Sequence, residues 1–398
     1  MTIRSPSDHT RDRTPLSRRS MSPLFHSHEE FCNNGVHGRE STIVQNQETR
    51  LARLPSLTGM RFAAAFIVFG FHINAAGLWP YLDVPFRQGA TGVSFFFILS
   101  GFVLTWSAKA GTEPVTVWRR RAAKIFPNHV ATWFIVLVAA GSVTPEAALA
   151  NLSLTQSWFP GESVYFGLNT PAWSLSCELA FYLAFPLLIK WRMQKPWLVT
   201  SAAVIAILTV PAIALSMPGH LEYWFVFVFP PVRALEFILG MAMARVVQQK
   251  KWIGLGLWPA SALFVAAYLG SWYLPASFPY VAGTVIPLAL LIPAAAVADL
   301  TGRWSPWRSK PMVWLGTVSF AFYMVHQIVI RVSEKFLDVH AYPLVAALGM
   351  FVVSMIAAWL LYRLVEVPAE KFIKGAPRPA RLTPASVRTA PPAGRRAA

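Results

Sequence analysis

The sequence predicts an all-α membrane protein, a bundle of about ten transmembrane helices with both termini cytoplasmic, and three observations lead there. Of the 398 residues, 55% are hydrophobic and 13% charged, whereas a typical soluble domain is about 25% charged. From Leu57 onward, apolar stretches of roughly 17–25 residues recur, the length an α-helix needs to cross about 30 Å of hydrocarbon. Lys and Arg collect in alternate connections between those stretches, as the positive-inside rule demands of a multi-pass protein. The 16 Trp and 28 Phe supply rings of the kind enriched at membrane interfaces.

In chain order, residues 1–53 form a polar tail rich in Ser, Arg and His, with both charge signs and no apolar periodicity, which is the composition of a disordered segment. It shows no secretory signal pattern before the first apolar run. The membrane domain, 54–370, carries spans expected at 57–79, 89–108, 125–142, 171–190, 197–217, 222–244, 252–273, 279–298, 312–331 and 342–363. The connection between the third and fourth spans has no Lys or Arg and contains Trp158, Phe159 and Tyr165, so it suits the outer interface. Residues 371–398 are a second, basic tail rich in Pro and Ala.

Charge placement tests these spans independently. With the N-terminus inside, the opposite face receives only Arg87, Arg331 and Lys335, while Arg61 and Arg233 lie within spans. Every other Lys and Arg falls on the cytoplasmic face, and a missed span would scramble that pattern. The net charge of +17 therefore reads as membrane orientation and argues against a nucleic-acid partner. Cys32 and Cys177 are too few for a disulfide framework, and the scattered His26, His28 and His37 of the first tail make no metal site. No metal is expected. P-loop, nucleophile-elbow and His-Glu-x-x-His patterns are all missing from the sequence.

A charge near the bilayer centre is unfavourable by about 2.5–3.5 kcal/mol on insertion scales, so each ionisable residue within a span needs a partner, a cavity or a task. Arg61 and His72 sit on one face of the first span, separated by about 16 Å of rise and roughly three turns. Arg61 suits a phosphate or carboxylate, or simply snorkels; His72 suits a proton transfer, or is a histidine satisfied by its neighbours. In the fourth span Ser174, Glu178 and Tyr182 form a stripe at i, i+4 and i+8, with Glu178 either chemical or a buried partner of an arginine. Arg233 and Glu236 in the sixth have the spacing of a local ion pair. Ser319, Tyr323 and His326 make a stripe in the ninth, for binding an acceptor or for mutual satisfaction between helices. Gly92 to Phe102 sets glycines around aromatic bulk, a pattern for close packing. The run Arg119, Arg120, Arg121 and Lys124 could dock phosphates, although topology alone also calls for such residues.

In this order, Arg61-x10-His72, the Ser-Gly-Phe ending at Phe102, the basic region to Pro127, Trp173-Ser-Leu-Ser-Cys-Glu178, Arg233-x-x-Glu236, Ser319-Phe-x-x-Tyr323-x-x-His326 and Glu366-x-Pro368 resemble acyltransferase family 3. These are polytopic membrane enzymes that move an acyl group from acyl-CoA to a hydroxyl. The resemblance implies His72 as general base, with Glu178 also in the catalytic group. It implies donor binding by Arg61, Arg119, Arg120, Arg121 and Lys124, and substrate contacts from Trp173, Tyr182, Arg233, Glu236, Tyr323 and His326. Acyl-CoA, acetyl or short branched, would be a co-substrate, with no permanently bound cofactor. One departure is Thr58-Gly-Met-Arg61, where the family often has Asp in place of Thr58. Within the family, Leu54–Arg61, Trp118–Pro127 and Asn169–Tyr182 resemble actinomycete macrolide 3-O-acyltransferases. The rival readings are O-acetylation of a cell-envelope polysaccharide or glycolipid and, in a different class, a small-molecule transporter.

Overall fold

A computed structural model describes residues 53–374, apart from 79–82, 110, 141, 142, 192, 275 and 276. The tails expected at 1–53 and 371–398 lie outside the described residues except at their inner ends. Among the described residues every regular element is helical. The principal helices are α1 (Pro55–Ala75), α2 (Thr91–Ser107), α3 (Pro114–Ala140), α4 (Ala172–Leu188), α5 (Pro196–Ala214), α6 (Pro230–Gln248), α7 (Leu257–Gly270), α8 (Val285–Leu300), α9 (Lys310–Phe336) and α10 (Pro343–Leu361), followed by α11 (Val367–Lys374).

Each expected span thus falls on a helix, but their lengths differ. Eight helical segments among the described residues are long and apolar enough to cross a bilayer. The fourth and seventh expected spans are shorter, 17 residues in α4 and 14 in α7. At about 1.5 Å per residue the first nearly covers the hydrocarbon and the second does not. The burial pattern is that of a membrane protein: Val138, Ile205, Val345 and Ile356 are exposed on helix surfaces, while Ser94, Arg233, Glu236 and His326 are buried.

Contacts between helix ends sort the connections into two sets. On one face, Gln248 reaches the Thr105 carbonyl, Trp197 the Lys251 carbonyl, Gln249 the Met193 carbonyl, and Ser56 bonds to Asp299 and Ser305. On the other, the Tyr268 hydroxyl donates to Pro85, Trp224 to Ser157, Ser277 to Glu222 and Arg331 to Leu168. The first set holds the basic connections, so charge and contact agree on one alternation of the chain; below it is called the basic face.

Glycines set the closest helix pairs. A Cβ at Gly101 of α2 would run into the Phe237 carbonyl of α6, and one at Gly240 of α6 into the Ile98 carbonyl of α2. A Cβ at Gly316 of α9 would likewise strike the Thr58 carbonyl of α1. Such backbone-to-backbone approach supports helix association where lipid removes the hydrophobic driving force. Around these pairs Phe62, Phe69, Phe322 and Phe351 interlock through tilted and edge-on ring contacts. We expect Gly101→Val and Gly316→Val each to destabilise the bundle by about 1–3 kcal/mol or more, read as a lower melting temperature in detergent. Gly349→Ala, where a Cβ meets nothing within 4 Å, should be neutral or slightly stabilising by helix propensity.

Candidate active site

The polar residues of α1, α3, α4 and α9 converge because each lies on the inward stripe of its helix. A cavity of about 140 Å³ lies between them, lined by Arg61, Ser100, Arg121, Lys124, Ser174, Glu178, Tyr182 and Tyr323 with an apolar wall from α2. The expected i, i+4 stripe of α4 is real: the Tyr182 hydroxyl donates to Glu178 Oε2 at 2.8 Å. Since that carboxylate accepts the Tyr182 proton, the Ser100 hydroxyl, 2.9 Å away, donates to Tyr182. The Ser174 hydroxyl donates to the Pro171 carbonyl at 2.9 Å, which leaves Ser174 Oγ to accept from Tyr323 at 2.9 Å. These bonds fix Glu178, Tyr182 and Tyr323 on α4 and α9 facing one chamber.

Arg61 faces the same chamber from α1. It is within electrostatic range of Glu178 and Glu366, yet it forms no ion pair with any described residue. Arg121 touches the Tyr182 ring as a cation, 5.7 Å from its centroid. Beside the chamber, and sharing Arg121 and Lys124 with it, is an open vestibule of about 500 Å³ lined by Arg119, Arg120, Arg121, Lys124 and Glu370. Lys124 differs from the arginines in having its own carboxylates, Glu366 and Glu370, and Asn128 also donates to Glu366. Lys124 therefore ties α3 to the end of α10 and to α11, while the three arginines carry no carboxylate partner among the described residues.

His72 does not line this chamber. It lies farther along α1, where its ring is 5.3 Å from that of His326, and Tyr323 lies next, 5.8 Å from His326. His326 is fully buried, and its Nδ1 faces the Tyr323 and Phe322 carbonyls at 2.8 and 3.3 Å. Two carbonyl partners require a proton on Nδ1, so Nε2 carries a lone pair, and it has no hydrogen-bond partner in the structure. The expected common face of Arg61 and His72 is thus split: Arg61 serves the chamber and His72 a second site deeper in the bundle.

Other expected site residues lie elsewhere. Trp173 packs edge-on against Phe97 and tilted against Phe227 in the core. Arg233 and Glu236 pair at 3.0 Å, Arg233 also donates to Ser94 at 3.1 Å, and its guanidinium is stacked between Phe97 and Phe227. That group holds α6 to α2 and lines none of the cavities described. Two participants went unmarked in the sequence: Ser100, whose hydroxyl looked like part of a packing motif, and Arg331, which read as an outer-loop cation. Arg331 lies within electrostatic range of His72, and only the tertiary fold could bring them together.

Comparison with known proteins gives this geometry a setting. The acyltransferase 3 profile, described as an acyltransferase domain, matches residues 54–363. The chain belongs to the acyltransferase 3 family. It is a multi-pass membrane acyltransferase. Similar proteins include Acyltransferase MdmB of Streptomyces mycarofaciens, 37% identical over 372 residues covering 84% of this chain and 96% of that one. Peptidoglycan O-acetyltransferase OatA of Listeria monocytogenes is 24% identical, over 81% of this chain and 57% of its own length. Putative peptidoglycan O-acetyltransferase YrhL of Bacillus subtilis is 25% identical, over 79% and 54%. This acyltransferase thus spans little more than half the length of the two envelope relatives. No solved structure matches it.

The Tyr182–Glu178 bond is the strut of the chamber. In a double-mutant cycle of Tyr182→Phe and Glu178→Gln, thermal stability in detergent should show a coupling of about 0.5–3 kcal/mol. Strictly additive losses would mean that the two side chains do not support one another.

Proposed function

We propose that the protein transfers an acyl group, acetyl or short branched acyl, from acyl-CoA to a hydroxyl of a macrolide or of its sugar, the lactone 3-hydroxyl being the expected position. The observation that carries the donor half is the row of arginines Arg119, Arg120 and Arg121, which form no ion pair among the described residues, at the mouth of a chamber that Arg61 also lines. Phosphate groups match such guanidinium clusters bidentately. The macrolide half is supported by the wording of Leu54–Arg61 and Asn169–Tyr182 and by the 37% identity to a Streptomyces acyltransferase.

In this reading the phosphates rest in the basic vestibule, and the thioester arm enters the chamber past Arg121 and Tyr182 toward Tyr323. For this step His326 Nε2, which has no partner in the structure, would accept the N–H of His72 once the two rings, 5.3 Å apart, turn their nitrogens toward each other. The other His72 nitrogen is then free to act as the base. It removes the proton of the acceptor hydroxyl as that oxygen bonds to the thioester carbonyl carbon. The carbon–sulfur bond breaks, the ester forms, and the departing CoA thiolate takes the proton back from His72. General-base help of this kind is worth about 10²–10⁴ in rate, so positioning of the two substrates supplies much of the remainder.

The test is mass spectrometry of membranes holding wild type or His72→Ala, given acetyl-CoA or a longer acyl-CoA with macrolides and peptidoglycan-type glycans, insertion being verified for both. A mass gain on a macrolide with equimolar CoA release, reduced by about 10²–10⁴ in His72→Ala, is expected. Unchanged turnover in the mutant would remove His72 from the chemistry, and acylation of glycans alone would move the acceptor to the envelope. Arg121→Ala should raise the KM for acyl-CoA about tenfold and weaken its salt dependence.

A further inference from the structure

On the face opposite the vestibule, a cavity of about 270 Å³ opens between the ends of α9 and α3 and the segment 168–170 that precedes α4. Nothing in the proposed donor path uses it. Its polar wall is built rather than incidental. Arg331 Nη2 donates to Thr170 Oγ1 at 2.6 Å, and Nη1 donates to the Leu168 carbonyl at 3.4 Å. Asn169 is 1% exposed and donates from Nδ2 to the Met324 carbonyl at 3.0 Å. That bond fixes the amide orientation, so Asn169 Oδ1 is an acceptor, and it is buried without a partner. Gln327 Oε1 is in the same condition. A buried polar atom left unpaired is unfavourable by about 1–3 kcal/mol, which marks these two oxygens as places for a ligand's donors.

The chemistry discriminates between ligands. Arg331 and Lys335 supply donors to the lining, while Asn169 Oδ1 is an acceptor that a phosphate or carboxylate alone would leave unmet. A hydroxylated molecule satisfies both kinds of group, its hydroxyls donating to Asn169 Oδ1 and accepting from the cations. Val136, Ile328, Val332 and Phe336 complete the lining with an apolar wall, so the molecule is amphiphilic. The cavity lining is linked to the histidine pair: Gln327 follows His326 in the chain, Asn169 holds the carbonyl of Met324, and Arg331 is within electrostatic range of His72.

We propose that this cavity is the acceptor port, taking a hydroxyl-bearing amphiphile from the face opposite the basic vestibule and presenting one hydroxyl to His72. The proposal rests on the acyl-transfer reading for what happens next, though not for binding. Donor and acceptor then approach the histidine pair from opposite faces. The donor chamber, at about 140 Å³, and the port, at about 270 Å³, both fall below the roughly 300–1,000 Å³ of ordinary ligand sites, so each suits the reacting part of one substrate and leaves the rest of that molecule outside.

Val332→Cys places a reporter thiol in the port without touching its polar groups. It is made in the full chain with Cys32→Ser; Cys177 stays, because it is buried with its thiol donated to the Val228 carbonyl. In sealed vesicles, a membrane-impermeant maleimide should label it only from the face opposite the basic connections. Tylosin, a glycosylated macrolide, or in a parallel arm the disaccharide N-acetylglucosaminyl-N-acetylmuramic acid, should slow labelling about fivefold or more without acyl-CoA, and Gln327→Leu should abolish that protection. Under turnover, Gln327→Leu should raise the acceptor KM about tenfold and leave the acyl-CoA KM unchanged. Labelling from the basic face, protection by neither probe, or an equal rise in both constants would overturn the port. Because protection needs no turnover, it stands even where no acyl transfer is found, and transfer without protection would place the acceptor elsewhere.

Discussion

A polar group within hydrocarbon must be satisfied by the protein itself, since there is no water to do it. The arrangement of this acyltransferase follows from how unevenly that constraint is met. Arg233, Glu236 and Ser94 bond to one another beside two aromatic rings, although Arg233 Nε and Nη1 and Glu236 Oε1 stay unpaired, and Lys124 is answered by Glu366 and Glu370. By contrast the Nε2 of His326 and the side-chain oxygens of Asn169 and Gln327 are buried without a hydrogen-bond partner, and Arg61 faces Glu178 across the chamber without forming an ion pair. The first set holds helices together. In the reading proposed above, the second lies along one column from the vestibule past Tyr323 and the histidine pair to the opposite cavity, where the polar groups of ligands would meet it.

Helix packing makes that column possible. The glycine contact of Gly316 with Thr58 lets α9 lie against α1 closely enough for His326 to stand beside His72. The reciprocal contacts of Gly101 and Gly240 press α6 onto α2, which leaves the other side of α2 free to wall the donor chamber. Close backbone approach at two helix pairs is thus exchanged for open space between them. A bundle with uniform packing distances would have closed the chamber, because interiors fill to crystal-like density wherever side chains allow it.

Much of this was legible in the residue pattern, for physical reasons. Hydropathy and the alternation of charge depend on the bilayer alone, so every expected span finds a helix, and the contacts at helix ends divide the loops as the charges do. Motifs within one helix were legible too: Ser174, Glu178 and Tyr182 meet because their spacing makes them neighbours whatever the fold. What depends on two helices was not. The Arg61–His72 spacing places both on one face but cannot show that different partners, Glu178 for one and His326 for the other, divide them between two sites. Trp173 was expected at the substrate because the resemblance implies it, and the fold packs it against Phe97 and Phe227. Arg331 was counted as a loop charge because its span was expected to end there, whereas α9 continues to Phe336.

A reaction between a CoA thioester and a hydroxyl competes with hydrolysis, since water is also a hydroxyl and far more concentrated. An enzyme with one open cleft must exclude water by closing it. A site reached from two faces has another means available: each substrate plugs its own channel, and the reacting atoms meet only where both are in place. In the proposed reading the His72–His326 pair stands between the two cavities, and the ring cluster of Phe69 and Phe322 that packs against His326 would keep water from the base. On that reading, selectivity for the larger acceptor over water follows from orientation: held in the port by Arg331 and Asn169, its hydroxyl would gain the effective concentration that fixed geometry confers.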